Sequence, residues 1–186
     1  MTNLIEKLQS GERLDADECA GLYDLDLFTL GKFANAKRRK LHGKKVFFNV
    51  NRHINPTNVC ADVCKFCAFS ANRKNPNPYT MSHEEILKIV EKSVAGGAKE
   101  IHIVSAHNPD TSWQWYLEIF KKIKEKYPQI HVKALTAAEV DFLSRKHGLS
   151  YEEVVEKMLE YGIDSMPGGG AEIFDEAVRR KICKGK

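Results

Sequence analysis

From residue 46 onward, short β-branched or aromatic runs alternate with amphipathic stretches, and this alternation constrains the fold more than any other feature. Val46-Phe47-Phe48-Asn49-Val50, Glu100 to Ser105, Ile130 to Leu135 and Ile163 to Met166 read as strands. Ser82-His83-Glu84-Glu85 and Ser150-Tyr151-Glu152-Glu153 are capping boxes, in which a hydroxyl and a carboxylate three residues apart satisfy backbone donors reciprocally. Ile86, Ile89, Val90 and Val94 follow the first at helical spacing, and Val154, Val155, Met158 and Leu159 follow the second. The stripe Tyr116, Leu117, Phe120, Ile123 and Tyr127 is stopped by Pro128, and a last helix starts near Asp175. Four β-then-α units in succession require parallel strands joined by crossover helices. Two α/β architectures satisfy this: a doubly wound open sheet and a parallel (β/α) barrel. A cysteine loop stands after the first strand, where the Rossmann glycine fingerprint would lie, and this favours the barrel. Four units make half a barrel. Half a barrel leaves two open strand edges, so the chain reads as part of a longer enzyme.

The N-terminal part is of another kind. Leu14-Asp15-Ala16-Asp17-Glu18 is a capping-box variant, and Leu27, Leu30, Ala34 and Leu41 mark a second helix that stops at Gly43. Its basic end, Lys37-Arg38-Arg39-Lys40, complements the helix dipole. The expected organisation is a helical segment over 1–44 and a truncated barrel over 45–186. With 42% hydrophobic and 29% charged residues among 186, the chain is neither disordered nor collagenous nor a coiled coil. No apolar run approaches the roughly 18–20 residues of a membrane span. The first residues turn charged before a secretory apolar region can form. A cytoplasmic protein with no membrane partner is expected. Lys+Arg (29) less Asp+Glu (25) gives +4, which suits an anionic small substrate and gives little support to a nucleic-acid partner.

Three of the five cysteines fall within eight residues: Cys60, Cys64 and Cys67. In a reducing compartment such a cluster implies metal or redox chemistry rather than disulfides. Three thiolates converging from one loop can hold three irons of a 4Fe-4S cluster and leave the fourth iron open to another ligand. Zinc remains the alternative. It asks for a fourth ligand, and His53, His83 and Cys19 are not suitably spaced. Cys19 and Cys183 read as packing residues.

The pattern Cys60-Ala61-Asp62-Val63-Cys64-Lys65-Phe66-Cys67, placed after the first strand of a (β/α) series, resembles the radical S-adenosylmethionine superfamily. Within it, five stretches resemble the aminofutalosine synthase family of the futalosine route to menaquinone. They are Phe48 to Asn58, Cys67-Ala68-Phe69-Ser70, His102-Ile103-Val104, Lys133-Ala134-Leu135-Thr136-Ala137-Ala138-Glu139, and Pro167-Gly168-Gly169-Gly170-Ala171-Glu172-Ile173-Phe174-Asp175. The resemblance implies a barrel of radical S-adenosylmethionine type, of which the N-terminal half is present. It implies a 4Fe-4S cluster on Cys60, Cys64 and Cys67, with S-adenosyl-L-methionine consumed as co-substrate. Phe66 would pack near the adenine, and Ser105 would contact the methionine amino group, although Ser105-Ala106 replaces the glycines many relatives carry there. Glu139 and Glu172 would bind ribose hydroxyls or the amino group, and the Gly168–Gly170 turn would let backbone approach a ligand. Arg52 and His53, read as following the first strand, would pair with a substrate carboxylate. The implied partners are an anionic aromatic acceptor and an electron donor such as flavodoxin or ferredoxin. The futalosine-pathway cyclase and a deazaflavin-cofactor synthase subunit share the cysteine loop and the triple glycine, and stay open as sister readings.

Overall fold

The computed structural model describes residues 2–71, 77–170 and 172–185; positions 72–76 of the expected cysteine loop, Ala171 and the two terminal residues lie outside the described residues. The chain divides into two compact units, 1–48 and 49–186.

The first unit comprises α1 (Thr2–Ser10), α2 (Ala16–Gly21), a 3-10 turn (Leu22–Asp24) and α3 (Leu27–His42). Asp15 and Glu18 form the expected reciprocal box at the start of α2. Asp26 caps α3, which ends at Gly43 with φ 60°. Val46, Phe47 and Phe48 belong to this unit and are exposed, so the strand expected at 46–50 is not there.

Pairing begins at β1 (Asn51–Ile54) and is limited by its partner. The neighbouring strand starts at Glu100, opposite Asn51, and the last contact before it is Lys99 N–H donating to Val50 O at 2.7 Å. Arg52 and His53 therefore lie inside the strand rather than after it. Then come β2 (Val63–Cys64), α4 (His83–Ala95), β3 (Glu100–Ile103), α5 (Trp113–Lys126), β4 (His131–Ala134), α6 (Ala137–His147), α7 (Tyr151–Glu160), α8 (Glu176–Ile182) and β5 (Cys183–Lys184). The boxes at Ser82 and Ser150 open α4 and α7 as expected. A further box, Thr136 with Glu139, opens α6, which the alternation alone did not mark.

β1, β3 and β4 are parallel and stand in chain order, each added on the same side. A (β/α) barrel wall adds its strands in this way, and the progression is consistent with part of one. The fourth expected strand is reduced to one parallel bridge, Lys133 with Ser165, held by Asp164 N–H to Val132 O (2.9 Å) and Ala134 N–H to Ser165 O (3.0 Å). Pro167 has no N–H to continue it.

One face of this sheet carries Ile54, Ile101, Ile103, Val132 and Ala134, all buried in one core with Ile86, Val90, Phe120, Ile123 and Val154 of the helices. Alternation along the strands puts Asn51, His53, Glu100, His102, His131 and Lys133 on the other. Among the described residues no helix is long and apolar enough to cross a membrane.

Candidate active site

The segment after β1 is tied down by polar contacts on both sides. Thr57, fully buried, donates from Oγ1 to Tyr79 O at 2.8 Å and receives Asn108 Nδ2 at 3.1 Å. Asn58 donates from Nδ2 to Asn77 O and accepts Tyr79 N–H at 2.8 Å. These bonds draw together the two ends of the long segment between β1 and α4.

Inside that segment, the cysteine motif has two further anchors. Ala61 N–H donates to His107 O at 2.8 Å, and His107 Nδ1 lies 2.6 Å from Asp62 Oδ2, with both side chains nearly buried. The His107 ring stacks on Phe142 with centroids 4.7 Å apart. On the other side β2 pairs antiparallel with β5, Cys64 opposite Cys183, and Lys65 N–H donates to Ile182 O at 2.7 Å. Cys67 N–H closes a turn on Cys64 O at 3.1 Å.

The three thiols line one cleft of about 230 Å³ at the C-terminal ends of the strands, together with Asn55, Phe66, Phe69, Ser105, Thr136 and Glu139. This is the end of a (β/α) barrel where active sites form. Burial pushes the Cys60 thiol up, while backbone N–H groups of Asp62 and His107 oppose it. Such N–H donors are what a sulfur that must carry negative charge as a metal ligand needs. Among the described residues no three His, Cys, Asp or Glu side chains converge as ligands of a single metal ion. A cubane asks each thiolate to take a different iron. Three separate thiols around one cleft therefore fit a cluster better than a four-ligand zinc site.

The other expected site residues divide. Phe66 lines the cleft and is half-exposed, free to offer a ring face. Ser105 lines it too, and its Oγ receives the Tyr116 hydroxyl at 3.2 Å. Burial pushes Tyr116 up to about 12. Glu139 is buried at the cleft edge and already committed: Oε1 accepts Ser105 N–H at 2.7 Å, and Oε2 accepts Thr136 N–H at 2.7 Å and the Thr136 hydroxyl at 2.8 Å. It stitches the β3 end to the start of α6. Leu135, just before that cap, sits at φ 58°, an uncommon backbone for a γ-branched residue. Glu172 is exposed, at φ 63°, and does not line the cleft. At Gly169, φ 137°, a Cβ would come within 3.0 Å of Thr136 Cγ2, so the close approach that requires glycine here is to the protein's own side chain.

Asp62 and Thr136 were not read as site residues. The signal was present: Asp62 lies inside the cysteine motif, and Thr136 with Glu139 is a box of the same form as Ser82 with Glu85.

The model of the Radical SAM superfamily matches residues 54–186. The chain belongs to the radical SAM superfamily. Radical SAM enzymes use a 4Fe-4S cluster and S-adenosylmethionine, act on small molecules and take electrons from a reductase. An aminodeoxyfutalosine synthase of Thermus thermophilus is 38% identical over 98% of this chain and 50% of its own length. A 5-amino-6-(D-ribitylamino)uracil–L-tyrosine 4-hydroxyphenyl transferase of Microcystis aeruginosa is 34% identical over 100% of this chain and 52% of its own. The chain thus spans about half the length of the curated relatives it matches. Among solved structures, methylornithine synthase superposes with a TM-score of 0.73 at 20% identity, covering 98% of this chain and 51% of that one, a likeness of fold.

Proposed function

We propose that this chain is the cluster-bearing half of an aminofutalosine synthase, which joins the 5′-deoxyadenosyl group of S-adenosylmethionine to 3-[(1-carboxyvinyl)oxy]benzoate, releases methionine and, with water, one carboxylate as bicarbonate, and gives 6-amino-6-deoxyfutalosine. The observation that carries the reading is the 38% identity to a synthase across nearly the whole chain, with the cysteine cleft inside the matched region. The transferase relative, at 34%, keeps the sister readings in play.

Cys60, Cys64 and Cys67 would hold the cluster, whose chemistry when bound is one-electron reduction of the sulfonium to free a 5′-deoxyadenosyl radical. The chain's own residues then have separable tasks. The Asp62–His107 pair and the β2–β5 pairing fix the cysteine loop against the barrel wall. Phe66 offers a ring face for adenine. Glu139 holds Ser105 and the start of α6 in place at the cleft edge, where a ligand amine or hydroxyl would meet it. Glu172 is the weaker ligand candidate, since it stands outside the cleft. The protein would also have to keep water and oxygen away from a reactive radical. The electron would come from a flavodoxin or ferredoxin in the cytoplasm.

The test uses the full-length protein, a reductant, the enol-ether acceptor and S-adenosylmethionine labelled in its ribose. Label in an adduct lacking one carboxylate supports the synthase. Label found only in free 5′-deoxyadenosine, with the acceptor unchanged, overturns it in favour of a hydrogen-abstracting sister enzyme.

A further inference from the structure

A closed (β/α) barrel ordinarily fills its lumen with layers of branched apolar side chains. The face of this sheet turned away from the helical core carries Asn51, His53, Glu100, His102, His131 and Lys133, and no aliphatic residue along the paired positions. Packed dry against one another, such groups would leave donors unsatisfied at high cost. This face suits a chamber filled by water and a polar ligand.

Within it one row is rich in donors. His53, His102 and Lys133 are successive register partners, and the row continues through the bridge to Ser165. The His53 and His102 rings stack, centroids 4.8 Å apart and 15° from parallel. His102 Nε2 is buried and has no hydrogen-bond partner among the described residues. The nearby acid is already engaged: Glu100 accepts Asn51 Nδ2 at 3.3 Å and lies 3.5 Å from Lys133 Nζ. Burial, then His53 and Lys133, hold the His102 ring below its ordinary pKa, and an arriving anion would relieve that crowding.

The row also has a fixed relation to the cysteine cleft. Asn55 stands two residues beyond His53, and Val104 two beyond His102; both line the cleft. Two residues of extended chain span about 7 Å. The row is therefore the layer next below the cleft floor, within the length of one substituted benzene ring.

We propose that His53, His102 and Lys133 form the anion subsite for the acceptor, holding a carboxylate of an aromatic acid whose reacting end lies in the cysteine-lined cleft. The class of acceptor rests on the synthase reading; the subsite rests on the sheet face. An imidazole N–H and an ammonium both donate, and a carboxylate accepts from both.

The experiment uses the full-length, cluster-loaded protein with benzene-1,3-dicarboxylate as probe and the neutral benzene-1,3-dicarboxamide as control. Imidazole ¹⁵N resonances of His53 and His102 shift with the dianion and not with the diamide. His102→Phe weakens dianion binding roughly tenfold or more, the loss expected for a hydrogen bond to a charged group, and His102→Gln, which keeps a donor, restores part of it. If His102→Phe does not fold, His53→Leu at the exposed ring carries the same comparison. Unchanged affinity in a folded variant, or equal ring shifts with the diamide, overturns the subsite. If the dianion binds in this row but the enol-ether acceptor gives no adduct, the synthase reading falls and the subsite stands. If the adduct forms with a KM that His102→Phe does not move, the subsite falls and the synthase reading stands.

Discussion

The two faces of the same three strands have been given different work. Ile101, Ile103 and Val132 are wholly buried against α4 and α5 and the other helices of the core, whereas their chain neighbours Glu100, His102 and Lys133 turn polar groups away from that core. The helix-facing side supplies burial, which is where folding free energy comes from. The other side and the loop at its upper end supply donors, thiols and space. A strand with period two lets one sequence serve both ends without compromise, since changing a residue on one face leaves the other face in register.

The sharpest way to test that division is to strike the chemistry and leave the core alone. Cys60→Ala, Cys64→Ala and Cys67→Ala in the full-length protein should each lose the cluster outright, from about four irons per chain to near none, while the polypeptide stays folded. Cys19→Ala and Cys183→Ala should keep it. Anaerobic reconstitution with iron analysis and absorbance checks this, and cluster loss in a Cys19 or Cys183 variant would break the ligand assignment. Next in size is the opposite stroke. Ile101→Ala or Ile103→Ala should cost about 2–5 kcal/mol in denaturant unfolding, and His53→Ala under about 1 kcal/mol because the ring is exposed. Equal losses on the two faces would end the comparison.

Smaller effects sharpen it at the edges. Ser82→Ala removes an exposed cap of α4 and should lower stability by about 1 kcal/mol without altering cluster content; a drop in iron content would show that the helix layer also shapes the loop. The smallest effect is in acid. Burial alone would raise the Glu100 carboxyl, but Asn51 and Lys133 hold it below its ordinary value of 4.5. A depressed folded pKa gives stability that is present above 4.5 and lost as pH falls through the folded value. Glu100→Gln should therefore flatten the pH dependence of unfolding below about pH 4.5, and a curve identical to the parent's would remove Glu100 from the account.

Much of this was legible in the sequence because it is local. Asp15 with Glu18, Ser82 with Glu85 and Ser150 with Glu153 all form the boxes their spacing announced. Parallel strands with crossover helices followed from the alternation, and the cysteine spacing pointed to the loop whose thiols share the cleft. The errors lie where the signal is a hydrophobic run and the structure is not. Val46-Phe47-Phe48 is as strand-like as any stretch in the chain, yet it is exposed and unpaired in a strand sense, while the polar Asn51-Arg52-His53-Ile54 is the strand. A strand is fixed by the ladder its neighbour offers, and β1 is an edge strand whose side away from the helical core is polar. At 163–166 the ladder shrinks to one bridge.

By itself, then, the sequence determined the starts of α2, α4 and α7 and the chemistry of the cysteine loop, since each depends on residues a few positions apart, and its alternation implied parallel strands. Only the tertiary structure decided which strand face meets the helices, that Asp62 reaches His107, that Glu139 is already bonded to Ser105, and that Gly169 must clear a threonine side chain. Those pairs are separated by tens of residues, and their distances are set by the register of β1, β3 and β4 and by helix packing, which no local pattern encodes.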